Sequence, residues 1–298
     1  MFEGFEQKRI NGDGADINLR VTGSGPAVLM LHGYPQTHVI WRHLAPVLAK
    51  DFTVVCPDLR GYGDSECPPA DDTHETYSKR AMGRDMAAVM SALGHDTFAI
   101  VSHDRGARVG YRMAMDMPNR VLRLCTLDIV PTGSVWQRAN KAWAMGSFHW
   151  LFLAQPAPRP ETLIGLDPDF FLEWLIEGWA DDMAAFGDGA MDEYKRCFRK
   201  PKVIHATCED YRAGATVDAA HDKADLDAGN KMACPLLALW GEKRKRGGPK
   251  TDGKTSALTV WAEWADDLRG GPLECGHFLA EEAPDAVLAQ LLPFLKGE

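Results

Sequence analysis

One short stretch constrains the fold of this chain more than any other, because it turns a buried strand directly into a helix. The residues "DTFAIVSH" form a β-branched and aromatic run that predicts a buried strand, and "RGARVGYRMAMD" predicts a helix that ends before Pro118. Between them, Ser102-His103-Asp104-Arg105-Gly106 has the small-x-nucleophile-x-small pattern of a strand-to-helix elbow. Such an elbow is typical of a layered α/β domain, and here it carries an aspartate, Asp104, at its tip.

Strand and helix signals alternate on both sides of this elbow. The segments "NLRVTG", "AVLMLHG" and "FTVVCPD" predict strands, "RDMAAVMSALG" predicts a helix, and "RLCTLDI" predicts the strand that follows the elbow helix. Strands that alternate with helices favour a parallel sheet covered on both faces. The first half of the chain is therefore expected to form an α/β fold with a mostly parallel sheet.

The middle of the chain has a different pattern. It is rich in Trp, Phe, Met and Ala at helical spacing, and strand signals return only at "CPLLALWGE" and "GGPLECGH", before a final helix "FLAEEAPDAVLAQLLPFL". We predict a core of residues 1–132 and 232–298 with a helical cap, residues 133–231, inserted in it. The alternative is that the middle segment only adds helices to one domain.

Composition excludes several classes of protein. The net charge of −9 argues against nucleic acid as a partner, and it means that an anionic ligand needs local positive charge to bind. No apolar run is long enough to span a bilayer, and "MFEGFEQKRINGDG" does not resemble a signal peptide, so a cytoplasmic location without membrane contact is expected. Seven scattered cysteines without a CxxC pair indicate reduced core thiols, and no zinc site or other metal site is expected.

Three residues follow in the chain order nucleophile, acid, histidine, which is the order of the α/β-hydrolase triad. Asp104 is on the elbow, Asp128 follows the next strand, and His277 lies in "ECGHFLAEEAP" before the last helix. Each signal is weak alone, but together at predicted strand ends they favour a catalytic site over a non-catalytic scaffold. No aspartate directly follows the strand "CPLLALWGE", which supports Asp128 as the acid, with Glu242 as a fallback.

A carboxylate nucleophile restricts the chemistry. Serine attacking a saturated carbon would form an ether that water does not cleave, whereas the attack of Asp104 would form an ester. His277, oriented by Asp128, can then activate water to attack the carbonyl carbon of that ester. The loop "LHGYP" is expected to supply one backbone N–H to the oxyanion, from Tyr34, and Arg105 the second. Carbon–halogen bonds and epoxides are the candidate substrates.

Two arginines favour one of these substrate classes over the other. Arg105 and Arg108 are three residues apart at the start of a helix, so they share a face beside Asp104. A helix N-terminus already favours anions, and two guanidinium groups there can hold a carboxylate by charge-assisted hydrogen bonds. This reading predicts a small anionic substrate; the alternative is that both arginines are solvated or salt-bridged on the helix surface.

Several motifs carry a resemblance to a known family. The segments "HDRGARVGYRMA", "LHGYPQ", "DLRGYGDS", "LDIVPT", "SFHWLFLAQPAP" and "ECGHFLAEEAP" resemble the fluoroacetate (haloacetate) dehalogenases of the α/β-hydrolase superfamily, over nearly the whole chain. The resemblance implies an α/β-hydrolase fold with an inserted helical cap. It also implies hydrolysis of a haloacetate such as fluoroacetate or chloroacetate to glycolate and halide, without a cofactor, by a homodimer.

The resemblance also implies roles for individual residues. It makes Asp104 the nucleophile, His277 the base and Asp128 its orienting acid, and it places the substrate carboxylate on Arg105 and Arg108. The departing halide is expected on a set of cap residues that offer N–H and O–H donors: His149, Trp150 and Tyr211. The alternative for the first two of these is packing within the cap.

The main competing function is an epoxide hydrolase. Those enzymes also use an elbow aspartate, and two cap tyrosines protonate the epoxide oxygen; Tyr194 and Tyr211 are available here. The arginine after Asp104 counts against this function, since an uncharged epoxide does not need it. A haloalkane dehalogenase and a non-enzymatic binding protein of the same fold are further alternatives. The basic loop Gly241 to Lys254 is either a solvated connection or an aid in attracting anions.

Overall fold

The computed structural model describes residues 1–243 and 256–298, so most of the basic loop lies outside the described residues. Within these ranges the chain forms one sheet of eight strands in the order β1-β2-β4-β3-β5-β6-β7-β8. The strands are β1 (Glu6–Asn11), β2 (Asp16–Thr22), β3 (Ala27–Leu31), β4 (Thr53–Pro57), β5 (Phe98–His103), β6 (Val121–Leu127), β7 (Leu236–Gly241) and β8 (Leu268–Leu273). Strands β3 to β8 pair in parallel, whereas β1 and β2 form an antiparallel edge.

Helices cover the sheet and fill the segment between β6 and β7. Those that flank the sheet are α1 (Ala45–Leu48), α2 (Lys79–Ala92), α3 (Asp104–Asp116), α12 (Ala257–Trp261), α13 (Leu279–Glu282) and α14 (Pro284–Lys296). Those between β6 and β7 are α4 (Thr132–Gln137), α5 (Lys141–Gly146), α6 (Phe148–Leu153), α7 (Arg159–Leu166), α8 (Pro168–Trp179), α9 (Ala190–Phe198), α10 (Pro201–Ala215) and α11 (Val217–Ala228). Short 3-10 turns span His38–Arg42, Glu75–Tyr77 and Met183–Phe186.

The two faces of the sheet are buried in separate cores. On β3, Val28 and Met30 pack into one hydrophobic cluster with residues of α1 and α14. Leu29 and Leu31 pack into the other cluster, with residues of α2 and α3. A strand buried on both faces needs apolar side chains at every position, which explains the continuous apolar sequence of β3. The predicted α/β-hydrolase fold with a mostly parallel sheet is confirmed.

The cap helices lie between two strands that are neighbours in the sheet. Strands β6 and β7 pair in parallel with Leu124 opposite Leu236, although the helices α4 to α11 separate them in sequence. The division into a core of residues 1–132 and 232–298 and a cap of residues 133–231 follows this order of elements and stays a prediction. In the described part of the chain, no helix is both long enough and apolar enough to cross a membrane.

The end of the chain differs from the expected single helix. The segment predicted as one final helix forms two, α13 and α14, which are separated at Ala283. Pro284 has no N–H and disfavours helical backbone in the residue before it, so Ala283 leaves the helical region with φ −141°. Pro284 then begins the next helix, where its missing N–H costs nothing.

Candidate active site

The elbow holds Asp104 in a tight turn between β5 and α3. Its backbone is left-handed, with φ 46°, which is uncommon for a residue other than glycine. Two glycines make room for it. A Cβ on Gly33 would lie 2.4 Å from the Asp104 Cβ, and a Cβ on Gly106 would lie 2.2 Å from the carbonyl oxygen of His32. Gly106 of the elbow motif and Gly33 of the "LHGYP" loop therefore allow strand, loop and helix to meet at the nucleophile.

The three residues predicted as a triad lie together. His277 Nδ1 forms a short hydrogen bond with Asp128 Oδ2, and His277 Nε2 is 3.9 Å from Asp104 Oδ2. The Gly241 N–H donates to the other Asp128 oxygen at 3.2 Å, which fixes the carboxylate at the end of β7. The fallback acid, Glu242, is exposed, whereas Asp128 is buried and bonded to the histidine.

One of the two predicted oxyanion donors binds an oxygen of the nucleophile. The Tyr34 N–H donates to Asp104 Oδ1 at 3.0 Å. The Arg105 N–H belongs to the first turn of α3, where backbone N–H groups have no partner within the helix. The other carboxylate oxygen, Oδ2, faces His277. The two oxygens of Asp104 therefore have different surroundings, one on a backbone donor and one toward the base.

Arg108 is a buried cation for which the described part of the chain supplies no salt-bridge partner. Its Nη1 donates to the Val130 carbonyl and to Thr132 Oγ1, both at 3.0 Å, and its Nε has no hydrogen-bond partner. Among the described residues, no Asp or Glu oxygen lies within 4.0 Å of its guanidinium nitrogens. Burial and the nearby charge of Arg105 lower the pKa of Arg108. A buried positive charge of this kind is costly unless an anion approaches it.

Arg105, by contrast, is held by an acid that the sequence did not point to. Its Nε and Nη2 donate to the two oxygens of the Asp210 carboxylate at 3.0 and 2.6 Å, and Nη2 also donates to the Asp210 carbonyl at 2.7 Å. Lys79 and the Tyr62 hydroxyl bind the same carboxylate. Burial alone would raise the pKa of Asp210. The charges and hydrogen bonds of Arg105 and Lys79 have a larger effect and hold that pKa well below its usual range. Within the described ranges, Nη1 is the nitrogen of the Arg105 guanidinium that has no hydrogen-bond partner.

The three cap residues predicted to bind halide also lie together. The ring centres of His149 and Trp150 are 5.6 and 5.9 Å from that of Tyr211, and both contacts are edge-to-face. The Arg105 guanidinium carbon is 4.3 Å from the Tyr211 ring centre. Burial lowers the pKa of His149 to about 3, so its imidazole is neutral near neutral pH. These side chains cover the arginines from the cap side.

Trp179, at the end of α8, is a site residue that the sequence analysis missed. Its ring centre is 4.5 Å from that of His149 and 5.6 Å from that of His277. Its carbonyl oxygen accepts a hydrogen bond from the His277 N–H at 3.0 Å. Nothing in the local sequence marks this tryptophan, since it ends an ordinary apolar helix.

The two cap tyrosines have different positions. The hydroxyl of Tyr194 donates to Glu281 at 2.9 Å, in a buried cluster with Arg42 and Gln36. Burial raises the pKa of Glu281 to about 7. Of the two tyrosines considered for protonating an epoxide, Tyr211 lies with the site residues, and the hydroxyl of Tyr194 is bonded elsewhere.

One group of potential metal ligands occurs in the described ranges, away from these residues. It consists of Asp64, Glu193 and Cys197. Arg196 contacts both carboxylates at 2.6 Å, and Lys200 contacts Asp64 at 2.5 Å. Arg196 and Lys200 therefore already neutralise the carboxylates that would bind a metal ion.

Comparisons with known proteins show the family to which the chain belongs. The family profile described as the alpha/beta hydrolase fold matches residues 26–284. A fluoroacetate dehalogenase from Burkholderia sp. is 42% identical over 300 residues, covering 99% of this chain and 95% of that protein. A soluble epoxide hydrolase from Corynebacterium sp. (strain C12) is 31% identical, covering 97% and 96%. The predicted resemblance to fluoroacetate dehalogenases is confirmed.

A solved structure extends the similarity to the whole backbone. The crystal structure of a protein from Nostoc sp PCC 7120, provisionally described as an alpha/beta hydrolase, is 49% identical to this chain. The match covers 99% of both chains with a TM-score of 0.95. Core and cap therefore share one arrangement in the two proteins.

Proposed function

The chain belongs to the α/β-hydrolase family, and on this premise we propose that it is a haloacetate dehalogenase, which converts fluoroacetate or chloroacetate to glycolate and halide. The observation that carries the proposal is Arg108, a buried cation beside a carboxylate nucleophile, with no acidic partner among the described residues. A substrate carboxylate would balance this charge. An uncharged epoxide or haloalkane would add no negative charge beyond that of Asp104, which already interacts electrostatically with Arg108.

The first step is an attack by the oxygen of Asp104 that faces the base. Tyr34 holds Oδ1, so Oδ2 is the nucleophile and bonds to the carbon that carries the halogen. The carbon–halogen bond breaks as the new C–O bond forms, and the electron pair leaves with the halide. The product is an ester between Asp104 and the hydroxyl carbon of glycolate, whose own carboxylate stays on the arginines.

The departing halide needs hydrogen-bond donors more than it needs charge. The imidazole of His149 is neutral and offers one N–H, the indole of Trp150 offers another, and Tyr211 offers a hydroxyl. Each donor gains most when the carbon–halogen bond is breaking, because negative charge then appears on the halogen. Fluoride, as a small ion, benefits most from such donors.

The second step returns the enzyme to its starting state. His277 Nε2 takes a proton from water, and the oxygen of that water attacks the carbonyl carbon of the Asp104 ester. The negative charge passes to Oδ1, which the Tyr34 and Arg105 N–H groups stabilise. Collapse of this intermediate breaks the bond to the glycolate oxygen, which takes the proton from His277. Asp104 then releases the second proton of the water to solvent and is again a carboxylate. Asp128 stabilises the imidazolium that exists between these events.

Epoxide hydrolysis is the second candidate, because the similarity to the Corynebacterium epoxide hydrolase also covers nearly the whole chain. The same triad would open an epoxide and hydrolyse the ester. Opening requires a proton for the epoxide oxygen, and Tyr211 is the cap tyrosine placed to give it. The bonding of Tyr194 to Glu281 weighs against a pair of tyrosine donors.

One assay with three substrates tests the proposal. The purified protein is incubated with fluoroacetate, chloroacetate and styrene oxide, and halide, glycolate and diol are measured. Halide and glycolate in equal amounts support the dehalogenase, whereas diol alone would overturn it. A single turnover in ¹⁸O-water then shows which carbon the water attacks. We expect the label in Asp104 and not in the first glycolate released, since water attacks the ester carbonyl.

We also propose that the chain acts as a homodimer, as the resemblance implies. Large apolar side chains are exposed on three cap helices: Phe148, Leu151, Leu163, Leu166 and Phe170. Such side chains are typical of an association surface when they lie close together. Sedimentation velocity of the wild type and of Leu166→Glu tests this proposal. A monomeric wild type would contradict it, and a variant that dissociates would place the interface on the cap.

A further inference from the structure

Glu282, at the end of α13, binds four backbone N–H groups from two separate parts of the chain. Its Oε1 accepts from Phe278 at 2.9 Å, and its Oε2 accepts from Gly276 at 3.0 Å. The same Oε2 accepts from Asp181 at 2.7 Å and from Asp182 at 3.3 Å. One carboxylate thus joins the loop that carries His277 to the cap segment that follows α8.

The two segments also contact each other directly. The His277 N–H donates to the Trp179 carbonyl at 3.0 Å, next to the bonds that Glu282 makes. The approach is close at Gly276, where an added Cβ would lie 2.4 Å from the Asp181 nitrogen. The loop and the cap are therefore in contact over a few residues, with the carboxylate of Glu282 between them.

This junction lies directly behind the base. The ring of Trp179 packs against both His277 and His149. His277 Nε2 is 3.9 Å from Asp104 Oδ2, a distance beyond a direct hydrogen bond. The base must hold this position while water enters and attacks, so small shifts of its loop matter for the hydrolysis of the ester.

In the described part of the chain, the carboxylate of Glu282 is bound by backbone N–H groups and not by a positively charged side chain. Among the described residues, no Lys, Arg or His nitrogen lies within 4.0 Å of its carboxylate, which accepts hydrogen bonds from backbone N–H groups. Backbone donors stabilise an anion while fixing its place, since they cannot rotate away as side chains do. Its neighbour Glu281 differs, since it binds the side chains of Arg42, Gln36 and Tyr194.

We propose that Glu282 is a positioning residue, which ties the His277 loop to the cap and so holds the base for the second step of catalysis. The proposal rests on the proposed function for its kinetic consequence. Ester formation depends on Asp104, the arginines and the halide donors, none of which Glu282 touches. Ester hydrolysis depends on His277, whose loop Glu282 holds on both sides.

The test compares Glu282→Gln with a matched control, Glu274→Gln. Glutamine keeps the size and one acceptor oxygen, but its amide nitrogen cannot accept the remaining N–H groups. Glu274 lies in the same loop and bonds the exposed Lys243 side chain, so its substitution should change nothing. In Glu282→Gln, ester hydrolysis should slow about 10- to 100-fold while ester formation stays within about twofold. Quenched samples analysed by mass spectrometry should then contain more of the Asp104 ester.

Two further measurements do not depend on the reaction. Deuterium exchange should rise together in peptides that contain residues 180–182 and 276–278 of Glu282→Gln, and the imidazole NMR signals of His277 should shift. Gly276→Ala, which keeps the carboxylate but forces the segments apart, should give the same pattern if the glutamine variant does not fold.

Two sets of results would contradict the proposals, and they can be told apart. Unchanged exchange and imidazole signals, or equal slowing of both steps, would overturn the positioning role. If the wild type forms no ester with any haloacetate, the proposed function fails, and the exchange and imidazole data still decide whether Glu282 positions His277.

Discussion

The guanidinium carbon of Arg108 lies 4.6 Å from the ring centre of Trp150. The residue proposed to bind the substrate carboxylate therefore packs against a residue proposed to bind the halide. A haloacetate needs such closeness, because a single CH₂ group separates its carboxylate from its halogen. Because of this contact, a substitution of Trp150 that removes the ring would disturb both the carboxylate site and the halide site. A test of the halide site alone therefore keeps an aromatic ring at position 150.

Trp150→Phe should slow defluorination selectively. Phenylalanine keeps a ring beneath Arg108 but removes the indole N–H, one donor to the developing halide. Loss of one hydrogen bond to a charged acceptor corresponds to about 10- to 100-fold in rate. We expect this loss for ester formation from fluoroacetate, a smaller loss for chloroacetate, and little change in KM. Stopped-flow or quenched-flow measurement of ester formation gives each rate.

Trp143→Phe is the matched control, since this tryptophan packs on Trp150 with ring centres 5.8 Å apart. It should leave the ratio of the two rates unchanged. If Trp150→Phe slows both halides equally, its indole shapes the cap and does not solvate the leaving group.

Arg108→Met should weaken substrate binding with little effect on the stability of the fold. The substitution removes a buried charge that lacks an acidic partner, so the free energy of unfolding should stay within about 1 kcal/mol of the wild type. KM for chloroacetate should rise at least about 10-fold, because a charged hydrogen bond to the substrate is lost. Urea unfolding and steady-state kinetics measure the two effects. A large loss of stability would show that the arginine is structural.

Arg105→Met, by contrast, should destabilise the fold. It would leave Asp210 buried with only Lys79 and Tyr62 as partners, after the loss of three hydrogen bonds. Breaking a buried ion pair from one side costs about 3–5 kcal/mol. The double variant with Asp210→Asn should recover part of this stability. If the two single substitutions prove additive, Arg105 and Asp210 do not depend on each other.

His149 should make the protein less stable in acid. Its pKa is about 3 when folded, against an ordinary value of 6.5, because burial disfavours the charged imidazole. Between these values the unfolded chain binds more protons, so the free energy of unfolding falls as pH falls through this window. The contribution is zero above pH 6.5. The wild type should therefore lose stability relative to His149→Gln on acidification, as measured by denaturant titrations at several pH values. A constant difference would contradict the shift.

Asp128→Asn and Glu242→Gln should separate the acid of the triad from its fallback. Asparagine cannot stabilise the imidazolium of His277, so ester hydrolysis should slow by about 10⁴-fold, as expected for the loss of a triad carboxylate. Glu242 is exposed, and its substitution should leave both steps unchanged. Mass spectrometry after substrate addition should detect the trapped ester in the first variant. Normal turnover there would remove Asp128 from its proposed role.

The sequence predicted those parts of the site that depend on local geometry. Asp104, Asp128 and His277 each follow a predicted strand, and the carboxyl ends of parallel strands meet at one edge of a sheet, so their proximity follows from the pattern. Asp210 could not be found in this way. It lies 105 positions from Arg105, on a cap helix whose rotation about its axis decides which side chains face the core.

The errors in the fold also have local causes. Strand β1 was missed because its residues, Glu6–Asn11, are mostly polar and exposed, as an edge strand tolerates. The break at Ala283 was missed because apolar residues continue at helical spacing on both sides of Pro284. For β1, the alternation of apolar and polar residues that marks a strand is absent. At Ala283, the helical spacing of apolar residues continues across the proline that ends the first helix.

The pairing of β6 with β7 across the inserted helices bears on how this enzyme could diversify. Because the two ends of the insertion emerge side by side, a different set of helices could be grafted there without altering the strand register. The halide donors would be exchanged in such a graft, and the nucleophile would not. The graft would nevertheless have to bring its own counter-ion for Arg105, since Asp210 arrives with α10. A new leaving-group preference would therefore come from a cap that also supplies a carboxylate at this position.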